Sequence, residues 1–357
     1  MAQITNPSPE GLTKPHFPIL DGLRGTAALL VVGFHLMEGY FPDFSKHPMH
    51  HGYLAVDFFF LLSGFVIGYA YDDRWARMTV MDFFRIRLIR LHPLVIASML
   101  IGGLAFYFDP FSTTSPTVSA LKLLAIVFWG FTLLPHQDVR GWDETHSLNG
   151  PLWSLLQEYL ANVVYALIGR RMNRTILIAF VIIWGVILTG VAVWRGDLAA
   201  GWGYNTFWIA IVRMMFPFFA GLLLYRTGFM IRIPAAYLIC SLLLAGLFFF
   251  PTYSFNGWYE AACIIIAFPL IVAMGAGGSI SGRWAQICNF AGIISYPIYI
   301  IHYPFMYIYM EWIHLNPDPG TIIIVGTALL FFFIGLAYVV LKRYDEPVRN
   351  WLKANWR

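Results

Sequence analysis

Leu20-Asp21-Gly22-Leu23-Arg24-Gly25-Thr26-Ala27 opens an apolar run that continues to Phe34-His35, with one arginine near its start and one histidine at its end. Ten residues separate Arg24 from His35. Eleven helical steps of about 100° come to about 20° past three full turns, so the two side chains share a helix face, about 16 Å apart along the axis. A fixed charge and a titratable imidazole are costly inside an apolar segment, and such residues mark functional sites.

The rest of the chain places that segment in a membrane. Of 357 residues, 59% are hydrophobic and only 12% charged, and the mean hydropathy is +0.66. A soluble domain carries roughly 25% charged residues. Several apolar runs approach the roughly 20 residues that span a bilayer. The basic residues fall in short loops between these runs, where topology signals belong, which argues against nucleic-acid binding. No cleavable signal peptide is expected, because residues 1–16 are polar and no small-residue cleavage site follows the first apolar run. Cys240, Cys263 and Cys288 lie in or beside apolar segments without metal-ligand spacing and read as packing residues. No metal is expected.

Eleven candidate segments emerge: 18–39, 53–72, 86–108, 119–135, 148–168, 175–194, 206–226, 235–251, 258–275, 287–311 and 319–342. The positive-inside rule tests that count. Five loop clusters are basic: Arg74 to Arg90, Arg170 to Arg174, Arg226 with Arg232, Arg283, and Lys342 to Arg357. They share one side only if segment 119–135 does not cross. The expected fold is therefore an all-α polytopic membrane protein of about ten transmembrane helices, with 119–135 re-entrant or interfacial. Residues 1–16 and 343–357 read as cytoplasmic tails around one membrane domain, 17–342. On this topology Arg24 lies toward the cytoplasm and His35 toward the outside. Glu38, Asp43, His47, His50, His51 and Asp57 follow on the outer side.

Particular side chains suit chemistry. An imidazole is a natural general base near neutral pH, which makes His35 the first candidate. Arg24 offers a planar fork of donors for phosphate or carboxylate, and Asp21 three residues earlier is a ready partner. Arg87 and Arg90 share a helix face at the cytoplasmic end of the third segment, a mouth for the polyanionic coenzyme A. Glu158 is one of few intramembrane carboxylates, with Arg213 as a possible counter-charge. Asp57 or Glu158 is expected to orient or charge His35, and that partner is expected from another helix. Ser63, followed by Gly64 and Gly68, reads as helix packing. No Gly-x-Ser-x-Gly elbow occurs. Glu260 and Glu311 read as solvated at outer helix ends. Trp142, Trp194, Trp202, Trp208, Trp258 and Trp312 read as an interfacial belt.

Taken in order, these stretches resemble the integral-membrane acyltransferase-3 family. The matching patterns are Leu-Asp-Gly-Leu-Arg-Gly at 20–25 with the Arg24–His35 spacing, the Asp57 to Phe65 stretch, and Arg87-x-x-Arg90-x-x-Pro93. Trp153-Ser-Leu-x-x-Glu158, Ser295 to Pro304, and Glu346-Pro347 complete the set. Gln157 stands where many members have an acid, and Pro297 where many have serine. The resemblance covers about residues 18–350. It implies transfer of an acyl group, often acetyl from acetyl-CoA, to a hydroxyl of a carbohydrate or glycolipid, with no extra domain expected after residue 342. Under it, His35, Asp57 and Glu158 are the catalytic candidates. Arg24, Arg87 and Arg90 would hold the acyl-CoA donor. Trp153, His302 and Arg213 would contact the acceptor. Membrane lipids surround the protein, which is expected in a bacterial inner membrane. Direct transfer and an acyl-histidine relay both remain open. The rival reading is a transporter or flippase for a glycolipid or small sugar conjugate.

Overall fold

A computed structural model describes residues 16–41, 43 and 46–356. The expected N-terminal tail lies outside these residues except for His16, as does Arg357. The described residues form helices α1 (Pro18–Glu38), α2 (Ala55–Tyr71), α3 (Val80–Tyr107), α4 (Ala120–Gly130) and α5 (Leu152–Leu167). These are followed by α6 (Arg174–Arg195), α7 (Phe207–Thr227), α8 (Ala236–Phe248), α9 (Asn256–Ala262) and α10 (Phe268–Gly277). The chain ends with α11 (Gly282–Ile301), α12 (Tyr303–Ile313), α13 (Pro319–Val340) and α14 (Glu346–Asn355).

Local sequence sets the ends of these helices. Thr79 and Asp82 form a reciprocal capping box at the start of α3, with Asp82 N donating to Thr79 Oγ1 at 3.1 Å. Asn173 caps α6, and Gly196 ends it in a left-handed turn at φ 87°. Asp318 caps α13, and Pro319 occupies its first turn.

Among the described residues, eight helical stretches are long and apolar enough to cross a membrane. Two shorter helices end at opposite ends of the bundle. The 16-residue α5 ends where the Tyr165 hydroxyl donates to Asp72 at 2.8 Å, beyond α2. The 13-residue α8 ends where the Phe248 carbonyl accepts from His51 N, at the opposite end of the bundle. With these two the count is about ten.

Helix α4 does not belong to that set. It has 11 residues, about 16 Å of helix against a hydrocarbon core of about 30 Å. It packs against α3. Contacts between the loop after α2 and the loop after α5 show that it leaves the topology unchanged. Arg226 donates to Asp72 at 2.7 Å and to the Met172 carbonyl at 3.0 Å, while Arg170 stacks on Trp75. The loops after α2 and α5 and the end of α7 therefore meet at one end of the bundle, which also holds Arg24.

The centre of the bundle is the pair α2 and α7, and α1 packs as closely on α11. Small residues permit these approaches. A Cβ on Gly64 would overlap the Phe218 carbonyl, and one on Gly221 would overlap the Leu61 carbonyl, so α2 and α7 touch backbone to backbone. Helices α6 and α13 lie at the periphery, with Ile182, Val186, Ile323, Ile324 and Phe331 exposed toward lipid.

The structure adds detail at two places. The tenth segment is not one continuous helix: α11 stops at Ile301 and α12 starts at Tyr303, with Pro304 in its first turn and His302 at the break. Past residue 342, where a tail was expected, a π-helical turn over Leu341–Asp345 leads into α14, which packs on α3.

Candidate active site

Two chambers open in the bundle, one toward each end of α1. The chamber at the Arg24 end has a volume of about 370 Å³. Helix α1 supplies Asp21 and Arg24, α2 Ser63, α3 Arg87 and Arg90, α5 Ser154 and Glu158, and α11 Ser295. Arg24 is held in place: its Nε donates to Ser295 Oγ at 2.9 Å and its Nη2 to the Gly292 carbonyl at 2.8 Å. Asp21 pairs with it at 3.0 Å. Arg87 donates to Glu158 Oε1 at 2.7 Å, and Ser63 donates to the same oxygen at 2.6 Å.

This network corrects three expectations. Ser63 is a hydrogen-bond partner of Glu158 as well as a small residue in a tight helix pair. Glu158 pairs with Arg87 and not with Arg213. Nor does the arginine cluster present a bare positive mouth, because Arg24, Arg87 and Arg349 each pair with a carboxylate, the last with Asp345 at 2.9 Å. Arg90 is exposed in the chamber wall and has no hydrogen bond or ion pair with the described residues. It is the arginine best placed to meet an incoming anion.

The second chamber, at the His35 end, has a volume of about 380 Å³. His35 Nδ1 donates to Glu38 Oε2 at 2.7 Å, one turn further along α1. The orienting partner expected from another helix is thus on the same one. With Nδ1–H committed to the carboxylate, Nε2 keeps its lone pair for a proton. His302 stacks on His35 at 5.4 Å between ring centroids, and Tyr303 meets it edge-on at 4.7 Å. The break between α11 and α12 is what delivers both rings. His302 Nδ1 donates to the Ile298 carbonyl at 2.9 Å, and its Nε2 is buried without a partner.

Asp57 does not reach His35. It takes two hydrogen bonds from Arg213, one at 3.2 Å from Nε and one from Nη2. Both side chains are fully buried. Arg213 also donates to the carbonyls of Ala200 at 2.8 Å and Tyr53 at 2.9 Å, and stands over the Trp153 ring. Asp57 thereby supports the chamber floor that Arg213 and Trp153 line. Glu260, expected at the surface, is fully buried and accepts from His51, Tyr53, Asn256 and Leu198 N. Glu311 is half-buried beside His314.

Sequence reasoning missed Glu144. The Tyr307 hydroxyl donates to its Oε2 at 2.5 Å, and it lines the His35 chamber. An isolated antiparallel bridge between Glu144 and Gly203 ties the loop after α4 to the loop after α6. That bridge brings Trp142 and Trp202 to the same chamber as Trp153. Burial pushes the Glu144 carboxyl up to about 8, against the opposing pull of Tyr307 and Arg140. The expected tryptophan belt therefore divides: Trp194, Trp208 and Trp258 are exposed away from the chamber, while Trp142, itself partly exposed, and Trp202 line it.

The sequence comparison makes this integral-membrane bundle a membrane acyltransferase. The chain belongs to the acyltransferase-3 family, whose profile, described as "Acyltransferase domain", matches residues 17–342. It is similar to "Acyltransferase MdmB" of Streptomyces mycarofaciens, at 27% identity over 321 residues, covering 80% of this chain and 78% of that one. It is also similar to "Protein 2 in picA locus" of Rhizobium radiobacter, at 33% identity over 175 residues, covering 45% of this chain and 88% of the other. No solved structure matches it significantly.

Proposed function

We propose that this protein transfers an acyl group, acetyl in the first instance, from acyl-CoA to a hydroxyl of a carbohydrate or glycolipid, with His35 as general base. The observation that carries this reading is the meeting of the two chambers. Val56 and Tyr299 border both, with Arg90 open on one side and His35 on the other. The donor phosphates meet Arg90, with Arg24 and Arg87 behind it. The acceptor hydroxyl enters the His35 chamber. Its oxygen attacks the thioester carbonyl, the C–O bond forms, the C–S bond breaks, and the hydroxyl proton passes to His35 Nε2. That proton then goes to the departing CoA sulfur, so CoA leaves as the thiol.

The carbohydrate assignment rests on the chamber walls. Trp142, Trp153 and Trp202 offer flat apolar faces, and Glu38 and Glu144 offer carboxyl oxygens for hydroxyls. The basic loops gathered at the Arg24 end favour a bacterial inner membrane with that end cytoplasmic and the His35 end outside. The donor is then drawn from the cytoplasm and the product leaves on the outer face.

The test is release of free CoA by purified protein given acetyl-CoA and a surface-glycan extract, with mass spectrometry of the glycans. We expect CoA release that depends on the extract and a mass increase of one acetyl group. Movement of the glycolipid across a vesicle membrane without CoA release would replace this reading with a transporter.

A further inference from the structure

The two chambers have largely separate walls, and the residues they share form a thin partition. Val56 stands one position before Asp57 on α2 and is 8% exposed. Tyr299 comes from α11, and its hydroxyl lies 2.7 Å from Ser154 Oγ. Ser154 gives its own proton to the Pro151 carbonyl at 2.9 Å, so Tyr299 is the donor to Ser154. The Tyr299 ring meets Phe59 edge-on at 5.4 Å, on the Arg24 side. It lies 6.3 Å from the His302 ring, which stacks on His35. One hydrogen bond and two aromatic neighbours thus hold the ring across the passage.

We propose that Val56 and Tyr299 are the gate through which the acyl group passes from the donor chamber to His35, and that the space between them sets the acyl chain length. This rests on the acyltransferase reading given above. The thioester arrives from the Arg24 end, whereas the base and the acceptor stand at the His35 end. The carbonyl whose C–S bond breaks is the one whose C–O bond forms, so it has to stand at the partition. Each further carbon of the acyl chain then needs room beside Val56 and Tyr299. One methylene in such an apolar constriction is worth about tenfold or more in kcat/KM.

The experiment compares acetyl-, propionyl- and butyryl-CoA with the full chain purified in detergent, a surface-glycan extract as acceptor, and free CoA as the readout. Val56→Ala is expected to raise the butyryl-to-acetyl ratio of kcat/KM about tenfold. Val56→Leu is expected to lower the propionyl-to-acetyl ratio by a similar factor. Tyr299→Phe, which loses the tether to Ser154, is expected to raise the butyryl ratio. Opposite shifts from two substitutions at one position cannot come from misfolding, and a single symmetric size-exclusion peak checks each variant. Ratios within about twofold of wild type for all three overturn the gate. If the wild-type protein releases no CoA from any thioester, the acyltransferase reading itself fails, and the gate with it.

Discussion

His35 and Glu38 are hydrogen-bonded at 2.7 Å across a single turn of α1, both half-buried and both in the wall of one chamber. The carboxylate fixes the tautomer and aim of the ring, leaving Nε2 for the acceptor hydroxyl. His35→Ala is expected to lower kcat by about 10²–10⁴, the usual worth of a general base. Glu38→Gln keeps the shape but weakens the hold on Nδ1–H, and its expected cost is about 10- to 100-fold in kcat. In both variants the KM for acyl-CoA stays near wild type, because neither residue lines the Arg24 chamber. Steady-state CoA release checks this, and a changed KM with normal kcat would move the pair out of the chemistry.

Arg90 differs from its neighbour Arg87 in one respect that matters for the donor: Arg87 is committed to Glu158, and Arg90 is unpaired with the described residues. A hydrogen bond to a charged group is worth about 1.5–3 kcal/mol, or roughly 10- to 100-fold in affinity. Arg90→Gln is expected to raise the acyl-CoA KM by that factor with kcat retained. Arg87→Gln is expected to act differently, lowering protein stability by leaving the half-buried Glu158 without its counter-charge. Measuring KM and thermal unfolding on both variants separates the two roles.

The contrast between Arg87 and Arg90 also shows where the sequence stops being informative. Helical spacing placed both on one face, and only the position of α5 decides which meets a carboxylate. The all-α bundle of about ten helices was legible because bilayer thickness imposes a length on each apolar run and loop charges impose a side. The shared face of Arg24 and His35 was legible from helix period alone. Asp57 and Arg213 lie 156 residues apart, and nothing local links them. Glu144 sits in a loop whose place depends on its bridge to Gly203 and on Tyr307 from α12, so no periodicity pointed to it. Glu38 is the instructive miss, since histidine and glutamate three apart on a helix are neighbours by geometry.

Asp57 and Arg213 form a fully buried pair that joins α2, α7 and the loop at Ala200. Removing one partner of such a pair leaves an uncompensated charge and costs about 3–5 kcal/mol. Asp57→Ala is therefore expected to unfold at a markedly lower temperature in detergent. Replacing both partners by apolar residues, as in Asp57→Leu with Arg213→Met, removes the stranded charge. The double variant is expected to be more stable than either single one. If Asp57→Ala instead unfolds like wild type while losing activity, Asp57 acts in the reaction and not as the support of the chamber floor.

Glu144 predicts a loss of stability as pH rises. Burial raises its carboxyl to about 8, with Asp138 and Glu38 pushing the same way and Tyr307 and Arg140 pulling back. In an unfolded chain a glutamate titrates near 4.3. The folded protein therefore holds a proton that the unfolded chain has already lost. Its contribution to stability is complete below the unfolded value and is lost as pH rises through about 8. Above that pH an ionised Glu144 faces Tyr307 in a buried site, and the bridge to Gly203 that carries Trp142 and Trp202 loosens. Wild-type unfolding temperature is thus expected to fall between pH ~5 and pH ~8 and to level off above it. Glu144→Gln imitates the neutral carboxyl and keeps an acceptor for Tyr307, so its profile should be flatter over the same window. Thermal unfolding of both proteins across that range decides the matter, and parallel profiles would mean that some other group sets the pH dependence.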